Sequence, residues 1–158
     1  MSQERPSYAI VPDDLSGEAV TTLLVFHLSE MHRWSPACKV HAMPVERLRK
    51  PDVSFYSAWA NGEVAAIGAL RQLDGRRGEL KSMRAAPAWL GKGAGEAMLL
   101  HLMSEAQARG LKWLGLETGR PDAFQPAGNL YRKHGFRKCE AFGDYVSDEF
   151  SMCMSREL

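Results

Sequence analysis

The chain has 158 residues, 45% of them hydrophobic and 25% charged, with a formal net charge of +1. Those values suit one globular domain, 1–158, that buries most of its apolar surface without staples. They exclude the strong whole-molecule field that draws in nucleic acid or an anionic membrane, and no apolar run approaches the ~18 residues of a membrane span. The polar start, Met1–Pro6, lacks the apolar stretch of a signal peptide. Cys38, Cys139 and Cys153 are odd in number and form no Cys-x-x-Cys pair. The expectation is a cytoplasmic protein with neither a disulfide framework nor a zinc site.

Tyr8–Val11 is a short apolar run closed by Pro12 and predicts a first strand. Asp13, Asp14 and Ser16 offer caps, and Ala19, Val20, Leu23, Leu24, His27, Leu28 and Met31 then recur at helical spacing, which predicts a helix over Gly17–His32. Trp34–Met43 has no period and reads as a loop. Pro44–Leu48 reads as one or two helical turns stopped by Pro51.

Val53–Ala60 and Glu63–Leu73 flank Asn61-Gly62, a strong hairpin signal. Asp74-Gly75 marks a second turn before a strand at Glu79–Ala85. The middle of the chain is therefore an antiparallel meander. Past Pro87 the period changes. Gly93–Arg109 carries a helical stripe of Ala97, Met98, Leu99, Leu102, Met103 and Ala106, ended by Gly110. Trp113–Glu117 predicts a strand, Ala127–His134 a helix, and Phe136–Cys139 and Glu149–Ser155 two last strands. A helix crossing from the meander to the Trp113 strand makes a parallel pair, so the sheet is mixed, with helices on its faces.

The chemistry concentrates where Gly91, Gly93 and Gly95 meet the start of the long helix. Glycines let the backbone approach a ligand closely, and a helix N-terminus adds unbonded N–H groups and the positive end of the dipole. A pyrophosphate suits such a place, and so does a plain flexible loop before a core helix. The nucleotide phosphate loop is excluded because Gly91-Lys92 is followed by Gly93 rather than Ser or Thr. The dinucleotide fingerprint is excluded by Glu96 and by the preceding hairpins.

Leu90-Gly91-Lys92-Gly93-Ala94-Gly95, a few residues after Pro87, resembles the Arg/Gln-x-x-Gly-x-Gly/Ala motif of the GNAT superfamily of N-acetyltransferases. Ala127, Leu130-Tyr131 and Gly135-Phe136 match the second signature of that family in order and spacing. The resemblance covers about Glu63–Phe136 and makes two departures: Leu90 stands at the Arg/Gln position, and Phe124 where many members carry Asn.

The resemblance implies an α+β fold, a mostly antiparallel sheet of six or seven strands with a splayed cleft between the fourth and fifth and helices on both faces. It implies acetyl-CoA as co-substrate, no metal, an amine as acceptor, and a homodimer; with no extension or acidic tract to suggest a peptide groove, the expected acceptor is a primary amine of a small molecule. The pantetheine arm is expected along Met83, Arg84 and Ala85, and the diphosphate on Gly91, Lys92, Gly93, Ala94, Gly95 and Glu96. Tyr131 is the expected acid for the leaving thiolate. Glu79 and Glu117, on the adjacent strands, are the candidate bases. Arg33 and His41 are the candidates for holding the acceptor. A protein N-terminal or Lys acetyltransferase, or a non-catalytic acyl-CoA sensor, would use the same cofactor site.

Overall fold

The structure, a computed structural model, describes residues 7–34, 45–119, 125–143, 145 and 151–158. Among these, seven strands form one sheet: β1 (Ala9–Pro12), β2 (Val53–Ala60), β3 (Glu63–Gln72), β4 (Arg77–Ala85), β5 (Trp113–Gly119), β6 (Arg137–Cys139) and β7 (Ser151–Glu157). Their order across the sheet is β1-β2-β3-β4-β5-β7-β6, antiparallel throughout except for the parallel pair β4–β5. The helices are α1 (Glu18–Trp34), α2 (Val45–Leu48), α3 (Ala94–Ala108) and α4 (Gln125–Lys133), with a single 3-10 turn at Pro87–Trp89.

The expected elements are present with shifted ends. Helix α1 takes in Trp34, which the sequence assigned to a loop, while the rest of that segment, including His41, lies outside the described residues. Strand β4 begins two residues earlier than expected. Asp74 Oδ1 accepts the N–H groups of both Arg76 and Arg77 at 2.8 Å, so the turn closes quickly and the strand starts at once. The β2–β3 hairpin turns on Asn61 (φ 51°) and Gly62 (φ 76°), the paired positive φ values that a two-residue turn requires.

Strand β3 is the centre of the core. Ala65, Ala66, Ile67, Ala69 and Leu70 are all fully buried, which requires cover on both faces. Helices α3 and α1 both pack on it. Helix α3 lays Met98, Leu99, Leu102 and Ala106 on the sheet. Its approach is close at Gly68, where an added Cβ would stand 2.7 Å from Met98 Cγ.

Two irregularities open the sheet. Strands β4 and β5 pair only at Arg77↔Trp113, Gly78↔Leu114 and Glu79↔Gly115, although both run on for several residues. On the other side of β4 the register passes from Ala69↔Lys81 to Ile67↔Arg84, so Ser82 and Met83 together oppose Gly68. This is a β-bulge, and Ser82 takes φ 54° to make it. The bulge bends β4, and the splay leaves its Met83–Ala85 stretch unpaired on the β5 side.

Candidate active site

The glycine turn builds the first half of the site from backbone. Gly91 (φ 72°) and Gly93 (φ 84°) take the left-handed conformation, and Gly93 caps α3. The first donor within the helix is Ala97, whose N–H reaches Gly93 O at 2.9 Å. The N–H groups of Ala94, Gly95 and Glu96 therefore precede the helical ladder and point out of its start. A cavity of about 560 Å³ opens in front of them, lined by Met83, Arg84 and Ala85 from β4, by Trp89, Leu90, Gly91 and Gly93–Glu96, and by Pro126, Ala127, Leu130 and Tyr131. Of the residues expected at the cofactor, Lys92 stands outside this wall. Its ammonium lies 5.2 Å over the Trp89 ring, and its carbonyl accepts the Tyr8 hydroxyl at 2.6 Å. The Glu96 carboxylate takes Lys133 Nζ at 2.7 Å and pairs with His134 Nε2 at 2.9 Å, tying α3 to the end of α4.

A second, smaller cavity of about 130 Å³ sits in the splay itself. His27 and Met31 of α1, Leu80–Arg84 of β4, Leu116–Gly119 of β5, and Ala127 and Tyr131 of α4 form its walls. Met83, Arg84, Ala127 and Tyr131 belong to both cavities, so the two meet at these residues. Tyr131 is 7% exposed, its ring edge-on to Phe136 at 5.8 Å. Burial pushes its phenol up to about 12, partly opposed by Arg84. Its hydroxyl has no hydrogen-bond partner among the described residues.

The geometry up to this point is that of a helix start whose unbonded N–H groups face a cavity, with a protonated phenol where that cavity meets a smaller one. The Acetyltransferase (GNAT) family model matches residues 23–136, more than half of the chain. The chain belongs to the GNAT family, and it is an acyltransferase. It is 44% identical over 146 residues to the uncharacterised N-acetyltransferase YsnE of Bacillus subtilis (strain 168), covering 92% of this chain and 97% of that one. It is 44% identical over 151 residues to the uncharacterised N-acetyltransferase YedL of Escherichia coli (strain K12), covering 96% and 95%. An IAA acetyltransferase of Azospirillum brasilense is 38% identical over 124 residues, covering 78% and 80%. Among solved structures, a GNAT family acetyltransferase from Elizabethkingia anophelis with acetyl-CoA bound shares the fold at TM-score 0.72 and 18% identity, covering 96% of this chain and 98% of that one.

In this acyltransferase the two candidate bases sit differently. Glu117 lines the smaller cavity. Glu79 does not. It is 1% exposed, in the paired base of the sheet below the splay, and its carboxylate accepts a hydrogen bond from the Tyr145 hydroxyl. Lys81 Nζ and Arg71 each lie 3.7 Å from it. Lys81 Nζ also donates to Tyr145 Oη at 2.5 Å and reaches the cavity wall. Burial pushes the Lys81 pKa down, opposed by Glu79 and Glu117. Burial and the neighbouring Glu79 push the Tyr145 phenol far up.

Arg33 does not line either cavity. Its side chain is 66% exposed and meets Glu30 at 3.6 Å. His41 lies outside the described residues. The residues that the α1 side does bring to the cleft are His27 and Met31. His27 Nδ1 accepts Arg84 Nε–H at 3.1 Å, and burial, then Arg84 and Lys81, hold its pKa down to about 3. Period two puts Lys81 on the strand face of Glu79 and makes the two a candidate pair, but sequence reasoning gave neither Lys81 nor the Arg84 side chain a role in the site.

Proposed function

We propose that this chain, as a single 158-residue domain, moves the acetyl group of acetyl-CoA to a primary amine of a small molecule by direct attack in a ternary complex. The observation that carries the reading is the position of Tyr131, which lines both the glycine-turn cavity and the splay cavity. The larger cavity takes the cofactor. Backbone N–H groups from Gly93 to Glu96 hold the diphosphate, and the unpaired edge of Met83–Ala85 takes the pantetheine amides like an added strand. The relative from Azospirillum brasilense is named an acetyltransferase, which favours the same class of reaction here.

The chain's own residues then have two tasks. An alkylammonium has a pKa near ~10, so a base must draw its proton before the nitrogen can attack. Glu117, on the wall of the smaller cavity, takes that role, while Glu79 holds Tyr145 and Lys81 in place behind it. The sulfur leaves with negative charge. Tyr131, fully protonated near neutral pH, donates a hydrogen bond to it, and the Arg84 guanidinium nearby favours charge on that side.

The test is thiol release from acetyl-CoA over a panel of small amines, with Tyr131→Phe beside the wild type. The expected result is turnover with some amines and a fall in kcat of about 100-fold in the variant, the size of a lost general acid. Full turnover in Tyr131→Phe removes the acid role. Thiol release with no small amine removes the small-molecule acceptor.

A further inference from the structure

Two partly buried cations line the smaller cavity, and they are compensated differently. Lys81 has Glu79 at 3.7 Å and the Tyr145 hydroxyl at 2.5 Å. Arg84 has no carboxylate within ion-pairing distance among the described residues; Glu30 acts on it only from further away. Its Nε donates to His27 Nδ1 at 3.1 Å, and its Cζ lies 5.8 Å over the Phe26 ring. Burial pushes its pKa down, the mark of a charge short of compensation.

The contacts orient the group. His27 and Phe26 draw the guanidinium to the α1 side, where His27 lines the smaller cavity. His27 is 6% exposed and neutral, so it accepts the Nε proton without repelling the cation. The donors left over among the described residues are the two Nη groups, a planar fork that matches a carboxylate.

We propose that Arg84 is the acceptor's anchor, its Nη groups holding a carboxylate, so that the preferred acceptors are small amino acids rather than simple amines. The inference rests on the transfer to an amine argued above. Arg84, Glu117 and Tyr131 line one cavity of about 130 Å³, so carboxylate and amine are close together in the acceptor, as in an α- or β-amino acid. Glu117 receives the ammonium end on the β5 wall. Met31, Met83 and Leu116 leave room only for a small apolar side chain. His27 is a positioning residue, acting through Arg84.

The experiment compares an amino acid, its carboxamide and its decarboxylated amine in the thiol-release assay. Wild type is expected to favour the acid at least tenfold in kcat/KM. Arg84→Gln is expected to erase that preference by raising the KM of the acid, and Arg84→Lys to restore part of it. His27→Leu, which removes the acceptor from Arg84 Nε, should raise the KM of the acid more than that of the carboxamide. Equal use of acid and carboxamide by the wild type overturns the inference, and needs no variant to fold. So does an equal loss on all three substrates in Arg84→Gln. Amines accepted regardless of a carboxylate overturn this inference alone; no amine accepted overturns the transfer reading with it.

Discussion

The two cavities that meet at Tyr131 are built by opposite means. The larger is shaped by main chain: two left-handed glycines, a helix start, and a strand edge freed by the splay. The smaller is shaped by side chains that reach it from α1, β4, β5 and α4, three of them charged and partly buried. Backbone donors do not titrate and are insensitive to side-chain identity, so the first cavity suits a group common to every reaction cycle. Side chains carry charge, shape and proton chemistry, so in the proposed reaction the second is where an acceptor is chosen.

The sharpest way to break this contrast is to block the backbone cavity without touching a polar side chain. An added Cβ at Gly95 would meet only Leu130 Cδ2, at 4.0 Å, so the fold has room for a side chain there, and a large one fills the cavity instead. Gly95→Phe is expected to weaken acetyl-CoA binding at least ~100-fold, about 2.8 kcal/mol. Leu90 is 66% exposed, and Leu90→Ala is expected to change the same constant less than about threefold. Calorimetry with acetyl-CoA checks both. A larger loss for Leu90→Ala than for Gly95→Phe would mean that side chains, not backbone, grip the cofactor.

The next largest effect separates the two carboxylates. Glu117 lines the cavity, and Glu79 is sealed below it by Tyr145, Lys81 and Arg71. Glu117→Gln is expected to lower kcat about 100-fold with little change in melting temperature. Glu79→Gln is expected to lower stability by about 3 kcal/mol, because it takes the buried carboxylate away from Lys81, Arg71 and Tyr145 together. Kinetics beside thermal denaturation of the two variants decides the matter. A stable, inactive Glu79→Gln would exchange the assignments.

What the sequence made legible follows the same division. Asn61-Gly62 announced its hairpin because two adjacent positive φ values need residues of that kind. Gly91 and Gly93 announced the left-handed turn before α3 for the same reason. The bulge stayed hidden, since Ser82 adopts φ 54° with no glycine to mark it. The side-chain cavity stayed hidden because its contacts are distant in sequence: Tyr145 to Glu79 spans 66 residues, and Arg84 to His27 spans 57. No local pattern reports such pairs. Hence Arg33, chosen by its place in the chain, proved exposed, while Arg84, chosen for its backbone, brought the guanidinium to the cleft.

The smallest expected effect tests whether the charged cavity influences the fold as well as the chemistry. His27 titrates at about 3 in the folded chain against an ordinary 6.5, because burial and two nearby cations disfavour its charged form. Between those values the unfolded chain binds a proton that the folded chain does not, so stability rises with pH across that window. The contribution is complete above pH 6.5 and is lost as pH falls towards 3, with a slope of up to ~1.4 kcal/mol per pH unit. Asp52, held down to about 2 chiefly by its hydrogen bond to Arg47, has the same sign but acts only below its ordinary 3.8, so pH 5 to 6.5 isolates the histidine. Over that interval the wild type is expected to lose about 2 kcal/mol, read by urea denaturation at each pH. Gln keeps an acceptor for Arg84 Nε and cannot titrate, so in His27→Gln the slope should nearly vanish. A variant with the wild-type slope would place the titrating group elsewhere and leave His27 neutral for no energetic consequence.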